Sequence, residues 1–236
     1  MVRVASHISW DQDGVSLTVM VLFLFIPAWG WLPRPDSSPF TTSGGKMEDL
    51  PPPRSWTILL CSSYFCAGFG YVISATFLVV IVEAEPALQG NGELAWLAVG
   101  LAAAPACFIW DRIARKTGEL KALALAFALQ IIGIILPTLF DANLFLVLFS
   151  AALYGGTFIG IVSLMLTMMG KFYPTKPAKP MGKLTLSYGV AQIAAPALAG
   201  TLAETSGTYT GSLYLAAIIM GVGMPLILLL ACRSPG

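Results

Sequence analysis

Seven long apolar runs, each closed by prolines, charges or a short polar turn, limit what this chain can fold into. They are Val15–Leu32, Trp56–Val82, Leu94–Trp110, Leu120–Phe140, Leu144–Met169, Met181–Ala203 and Ser212–Cys232. A helix that crosses a bilayer needs about 20 predominantly apolar residues, and these runs supply that length. They are too long and too continuous to alternate as barrel strands do. Composition excludes the other main class. Soluble domains carry about 25% charged residues, whereas this chain of 236 residues carries 11% and is 57% hydrophobic. The sequence therefore predicts an all-α membrane protein, a polytopic helix bundle. The turn Asp141-Ala142-Asn143 is so short that the fourth and fifth runs form a tight hairpin.

The charges orient the bundle. Arg34, Lys46 and Arg54 fall between the first two runs, and Arg112, Arg115, Lys116 and Lys121 follow the third. Lys171, Lys176, Lys179 and Lys183 follow the fifth, and Arg233 closes the chain. Successive crossings place all of these on one side, leaving Arg3 opposite with Glu83, Glu85, Glu93, Asp141 and Glu204. Lys and Arg are retained on the cytoplasmic side, so the carboxyl terminus is predicted inside and the tail 1–14 outside. Trp10 and Trp96 on one side, and Trp31, Trp56, Trp110 and Tyr173 on the other, are expected at the two membrane interfaces. The first run lacks the small-residue cleavage site of a signal peptide and reads as a span. The Pro/Ser/Gly-rich stretch 33–55 is a cytoplasmic linker, and 233–236 a cytoplasmic tail. The four cysteines, Cys61, Cys66, Cys107 and Cys232, have no paired spacing and read as small apolar residues. A net charge of +1 with no basic stripe gives no sign of a nucleic-acid partner.

A faint repeat recurs at about ninety residues. Tyr64 returns as Tyr154, each followed by glycines (Gly68 and Gly70; Gly155, Gly156 and Gly160). Ala103-Ala104-Pro105-Ala106 returns as Ala194-Ala195-Pro196-Ala197, and Pro137 near Pro225. Three crossings per unit turn the second trio upside down, a construction used in secondary transporters.

Three strings carry a resemblance to a family. Asp111-Arg112-Ile113-Ala114-Arg115-Lys116 is similar to the cytoplasmic loop motif of the major facilitator superfamily, with Cys107 and Ala114 where that motif has glycines. The run from Ala191 through Ala195-Pro196 to Ala199-Gly200 resembles its Gly-x-x-x-Gly-Pro helix, again with alanines for several glycines. Gly68-Phe69-Gly70-Tyr71-Val72-Ile73-Ser74-Ala75-Thr76-Phe77 and Tyr154-Gly155-Gly156-Thr157-Phe158 look like the YbfB/YjiJ-like branch. The resemblance covers about 15–232. It implies that the spans correspond to helices six to twelve, with 56–232 as a six-helix carboxyl-terminal half built of inverted three-helix repeats. It also implies that roughly the first five helices are missing, making this an amino-terminally truncated form whose partner is an amino-terminal half.

On that family's plan the second, third, fifth and sixth spans line the solute path. Tyr64, Gly68 and Tyr71 share one helix face, as do Tyr154 with Thr157 and Tyr188 with Gln192. A tyrosine offers a solute an apolar ring and one hydrogen-bonding tip; equally, such residues bond across helices simply to hold a bundle together. Asp111, Arg112, Arg115 and Lys116 are either the moving loop motif or a positive-inside anchor. Pro105, Pro137, Pro196 and Pro225 lie inside spans, where each removes a backbone donor and favours a kink. Gln130 is mid-span on a helix the family places at the periphery, which points to a structural role. No Asp, Glu, Lys, Arg or His occupies the centre of any span. The sole histidine, His7, is in the tail, so neither enzyme chemistry, a metal nor a cofactor is expected. A proton-coupling carboxylate, if one exists, belongs to the missing half.

The functional expectation is a secondary transporter in the plasma membrane moving a small solute through the lipid bilayer. A non-transporting scaffold or carrier remnant is the main alternative. A seven-helix receptor matches in outline, but its Asn-Pro-x-x-Tyr is absent from the last span, which reads Met224-Pro225-Leu226.

Overall fold

The structure, a computed structural model, describes residues 10–31, 47–84, 86, 88–139 and 143–233. The tail 1–9, linker residues 32–46, Glu85, Ala87, Phe140 with the turn residues Asp141 and Ala142, and residues 234–236 lie outside the described residues. The chain divides into two units, Met1–Lys46 and Met47–Gly236. The first contains one helix, α1 (Trp10–Trp31), with Pro27 inside it. The Thr18 hydroxyl donates back to the Gly14 carbonyl at 2.7 Å, and the Phe25 and Trp29 rings lie 5.5 Å apart.

The second unit holds seven helices: α2 (Arg54–Ala84), α3 (Gly92–Ala103), α4 (Ala106–Thr117), α5 (Glu119–Leu139), α6 (Leu144–Phe172), α7 (Ala178–Ser206) and α8 (Thr210–Arg233). Among the described residues of the whole chain, six helices are long and apolar enough to cross a membrane; α3 and α4 reach that length and apolarity only together, as a pair bent by 44°. The break has a plain cause. Pro105 has no N–H for the Leu101 carbonyl, so the ladder stops at the bond from Ala104 N to Gly100 O and resumes from Ile109 N to Pro105 O.

Two expectations are corrected. The segment Asp111–Lys116 is not a turn but the last turns of α4. Arg115 Nε pairs with Asp111 Oδ2 at 2.7 Å one helical turn away, and Arg115 and Lys116 complement the helix carboxyl end. The chain reverses at Gly118 instead, where φ is +93°, a conformation that favours glycine. Trp56 and Trp110, expected to face the membrane interface, are buried within the bundle. Trp56 meets Phe172 edge-on with centroids 4.8 Å apart. Trp110 packs where Gly160 has no side chain, and its Nε1 donates to the Gly156 carbonyl at 2.7 Å. Both are amphipathic residues whose polar edge found, or whose ring filled, a site inside the bundle.

Helix pairing shows the internal repeat. α2 packs against α7 and α8, while α6 packs against α3, α4 and α5, and α5 meets α8. Exchanging α2 with α6, α3–α4 with α7, and α5 with α8 leaves this set of partnerships unchanged. Single residues obey the same exchange. Gly133 of α5 lies against Ser150, Leu153 and Tyr154 of α6, and Gly223 of α8 lies against Ser63 and Cys66 of α2. The outward sides of the helices remain apolar: Ile58, Leu101, Phe108, Phe145, Ile193 and Ile218 are all more than half exposed. In water such a surface would aggregate; facing lipid tails it costs nothing.

Polar contacts gather at the two ends. At one end, Lys171 is paired with Glu119, joining α6 to α5. There Thr175 donates through its amide (3.0 Å) and hydroxyl (2.7 Å) to Asp49, and Leu50 N donates to Phe172 O at 2.9 Å. These bonds dock the segment ahead of α2 onto the α6–α7 turn. The Thr175 hydroxyl, then its amide, hold the Asp49 carboxyl below its ordinary pKa, with Lys176 contributing less. At the other end, Glu83 accepts from Gly90 N and Gly92 N, each at 2.9 Å, tying α2 to the start of α3.

Candidate functional site

Where α2, α6 and α7 meet, four of the sequence-derived candidates form one aromatic cluster. Tyr64, Gly68 and Tyr71 recur along α2 at one-turn intervals, so they face α7 together. Gly68 sets the distance: a Cβ there would lie 2.9 Å from both the ring and the carbonyl oxygen of Tyr188. With no side chain in the way, the Tyr188 ring sits 4.6 Å from Tyr64 and 5.9 Å from Tyr71. Tyr71 lies nearly parallel to Tyr154 of α6 at 5.9 Å, and the Tyr154 hydroxyl donates to the Tyr71 carbonyl at 2.9 Å. Phe158 completes the group, 4.7 Å from Tyr71 and 5.5 Å from Tyr154. Phe158 was missed in the sequence because it bears no polar group, although its place one turn after Tyr154 was the available signal.

The members differ in access. Tyr64, Tyr154 and Tyr188 are buried, and Tyr71 is half-buried. Gln192 is half-buried one turn beyond Tyr188. Thr157 is not brought to this face: it is buried, and its hydroxyl donates to Leu153 O and Tyr154 O of its own helix. Gly155 and Gly160 act as contact points, for a Cβ would lie 2.2 Å from Val99 O and 2.0 Å from the Trp110 ring respectively. Arg112 and Lys116 are exposed on α4 beside the Asp111–Arg115 pair. Pro105 marks the α3–α4 break, whereas α5, α7 and α8 run on as helix through Pro137, Pro196 and Pro225. Among the described residues no group of His, Cys, Asp or Glu is placed to hold a metal.

Exchangeable helix trios of this kind are a construction found in secondary transporters. The family described as "Uncharacterised MFS-type transporter YbfB" matches residues 1–228. The chain belongs to that family. It is accordingly a multi-pass membrane transporter of the major facilitator superfamily and not an enzyme. No curated protein matches the chain. Membership in the YbfB-type family also sets aside the receptor reading, whose helices carry no such repeat.

Proposed function

We propose that this YbfB-type protein moves a small uncharged solute by alternating access, with the tyrosine cluster forming the carboxyl-terminal wall of the path. The observation that carries this reading is Tyr71. It is the half-open tyrosine of a cluster whose other three tyrosines are buried, and it is held by Tyr154 and Tyr188. A ring whose position is fixed by buried neighbours meets a solute without first losing conformational freedom. Gln192, on α7 beside it, offers both a donor and an acceptor. The absence of charge from the span centres favours an uncharged solute, because an ion here would lack a partner.

Such a wall works against an opposing one. In this reading the amino-terminal half of the fold supplies it, and any titratable group needed for proton coupling lies there. The sidedness of Lys and Arg supports a plasma-membrane orientation with the carboxyl terminus in the cytoplasm.

A solute-independent experiment tests the reading. Tyr71→Cys, in a background with the four native cysteines replaced, is exposed to a membrane-impermeant thiol reagent in right-side-out and inverted vesicles. The expected result is modification from both sides, since alternating access opens the path each way. Reaction from neither side would leave the cluster as bundle glue, the scaffold alternative, which the burial of Tyr64, Tyr154 and Tyr188 favours.

A further inference from the structure

A cavity of about 440 Å³ lies among α2, α5, α6 and the start of α8. Its walls come from the last turns of α2 and α5, the first turns of α6 and the turn between α7 and α8, all at one end of the bundle. By the sidedness of the basic residues this is the outer end. The cavity shares Tyr154 with the tyrosine cluster described above, but Tyr71, on which the proposed path rests, is not one of its walls.

The lining is apolar with a few hydroxyls, and among the described residues no charged side chain borders it. Three of the lining hydroxyls are already engaged: Ser150 donates to Gly133 O at 2.6 Å, Thr138 to Ile135 O at 2.7 Å and Tyr154 to Tyr71 O at 2.9 Å. Ser74 differs. It is 7% exposed, lines the cavity, and its hydroxyl has no hydrogen-bond partner. Ser63, on the same helix, satisfies itself from the Leu59 and Leu60 carbonyls, so local backbone could have served Ser74 as well. A second unmet group lies on α5, outside the lining. Gln130 is 1% exposed with both its amide oxygen and nitrogen unpartnered, one turn before Gly133 and Ile134, which form part of the cavity floor. Buried polar groups are bonded in roughly 90% of cases. Ser74 is such an exception, and it stands in the cavity wall, where a bound molecule could meet its hydroxyl.

We infer that this outer cavity binds an uncharged amphiphile, its apolar body resting on Leu78, Val82, Ile134 and Val147 and its hydroxyl or carbonyl head bonded to Ser74. The volume lies within the ordinary range for small-molecule sites, about 300–1,000 Å³. Among the described residues the wall offers no cation or carboxylate, so an ionised head there would be stripped of water without a partner.

The experiment uses the full chain in liposomes and a medium-chain alcohol bearing a photoreactive diazirine, with cross-links mapped by mass spectrometry. Labelling is expected on the α2 and α6 peptides that contain Leu78 and Val147. Ser74→Ala should lower labelling about three- to tenfold, the value of one neutral hydrogen bond. Thr210→Trp, an exposed position bordering the cavity, should block labelling while leaving size-exclusion behaviour unchanged. Competition by unlabelled medium-chain alcohol, but not by cyclohexanol, identifies a lipid-derived occupant; competition by both identifies a soluble one. A medium-chain carboxylate at neutral pH should not compete. Labelling that is equal in wild type, Ser74→Ala and Thr210→Trp, or that neither alcohol displaces, would overturn the inference. Those results leave the Tyr71 experiment unaffected.

Discussion

A methyl group added at Gly155 would lie 2.2 Å from the Val99 carbonyl oxygen, whereas at the next residue, Gly156, the nearest atoms are 3.7 Å away. The first obstacle is backbone, which can move only if α3 separates from α6. Gly155→Ala should therefore destabilise by about 1–3 kcal/mol, a typical cost of overpacking, and Gly156→Ala by less than about 0.5 kcal/mol. Thermal melts in detergent check this: a marked fall for the first and near-identity for the second. Asp49 supports a prediction on pH. Its carboxyl is held below its ordinary pKa by Thr175, so its docking bonds are intact above the unfolded value and fade as pH falls through the lowered one. Hydrogen exchange at the Leu50 amide, corrected for intrinsic rates, should accelerate below about pH 4, the ordinary range of an Asp carboxyl. Asp49→Ala should exchange fast already at neutral pH, with the pH dependence flattened. Residues of this kind were only partly legible beforehand. The sequence pattern put Tyr64, Tyr71, Tyr154 and Tyr188 on helix faces, but not which one stays open. It placed Trp110 at an interface because nothing in the sequence says that Gly160 leaves room for an indole.

The helices follow physical rules that an apolar run only approximates. The third run became two helices at Pro105, while Pro137, Pro196 and Pro225 stay within helices that run on despite the missing donor. Helices also outrun the apolar stretches: α4 reaches Thr117 and α7 begins at Ala178, since charged residues near a helix end stay in the helix and extend toward water. The repeat was legible from its tyrosines and prolines, but its mechanical core was not. Gly133 and Gly223 stand ninety residues apart and perform the same task, bringing α5 onto α6 and α8 onto α2. One pair among 23 glycines carries no signal until the contacts are seen. Their equivalence predicts that Gly133→Val and Gly223→Val each lower the melting temperature substantially, because each forces an outer helix off an inner one. A neutral result for one alongside a large loss for the other would break the equivalence.

Across the protein, the apolar outer surface, the exchangeable trios of helices and the family match converge on a membrane carrier of the YbfB type. That much was legible because lipid solubility is a bulk property, written in run length and charge placement. The solute was not legible, since the proposed wall of rings and one amide is compatible with many uncharged molecules. The account depends on α7 crossing the membrane as a single rod. Its 29 residues span about 43 Å, enough to carry Lys176 and Glu204 to opposite faces. In a background with the four native cysteines replaced, Lys176→Cys and Glu204→Cys can each be challenged with an impermeant maleimide in intact cells and in inverted vesicles. The account predicts that Glu204→Cys reacts only in cells and Lys176→Cys only in inverted vesicles. Reaction of both positions from the same side would contradict it.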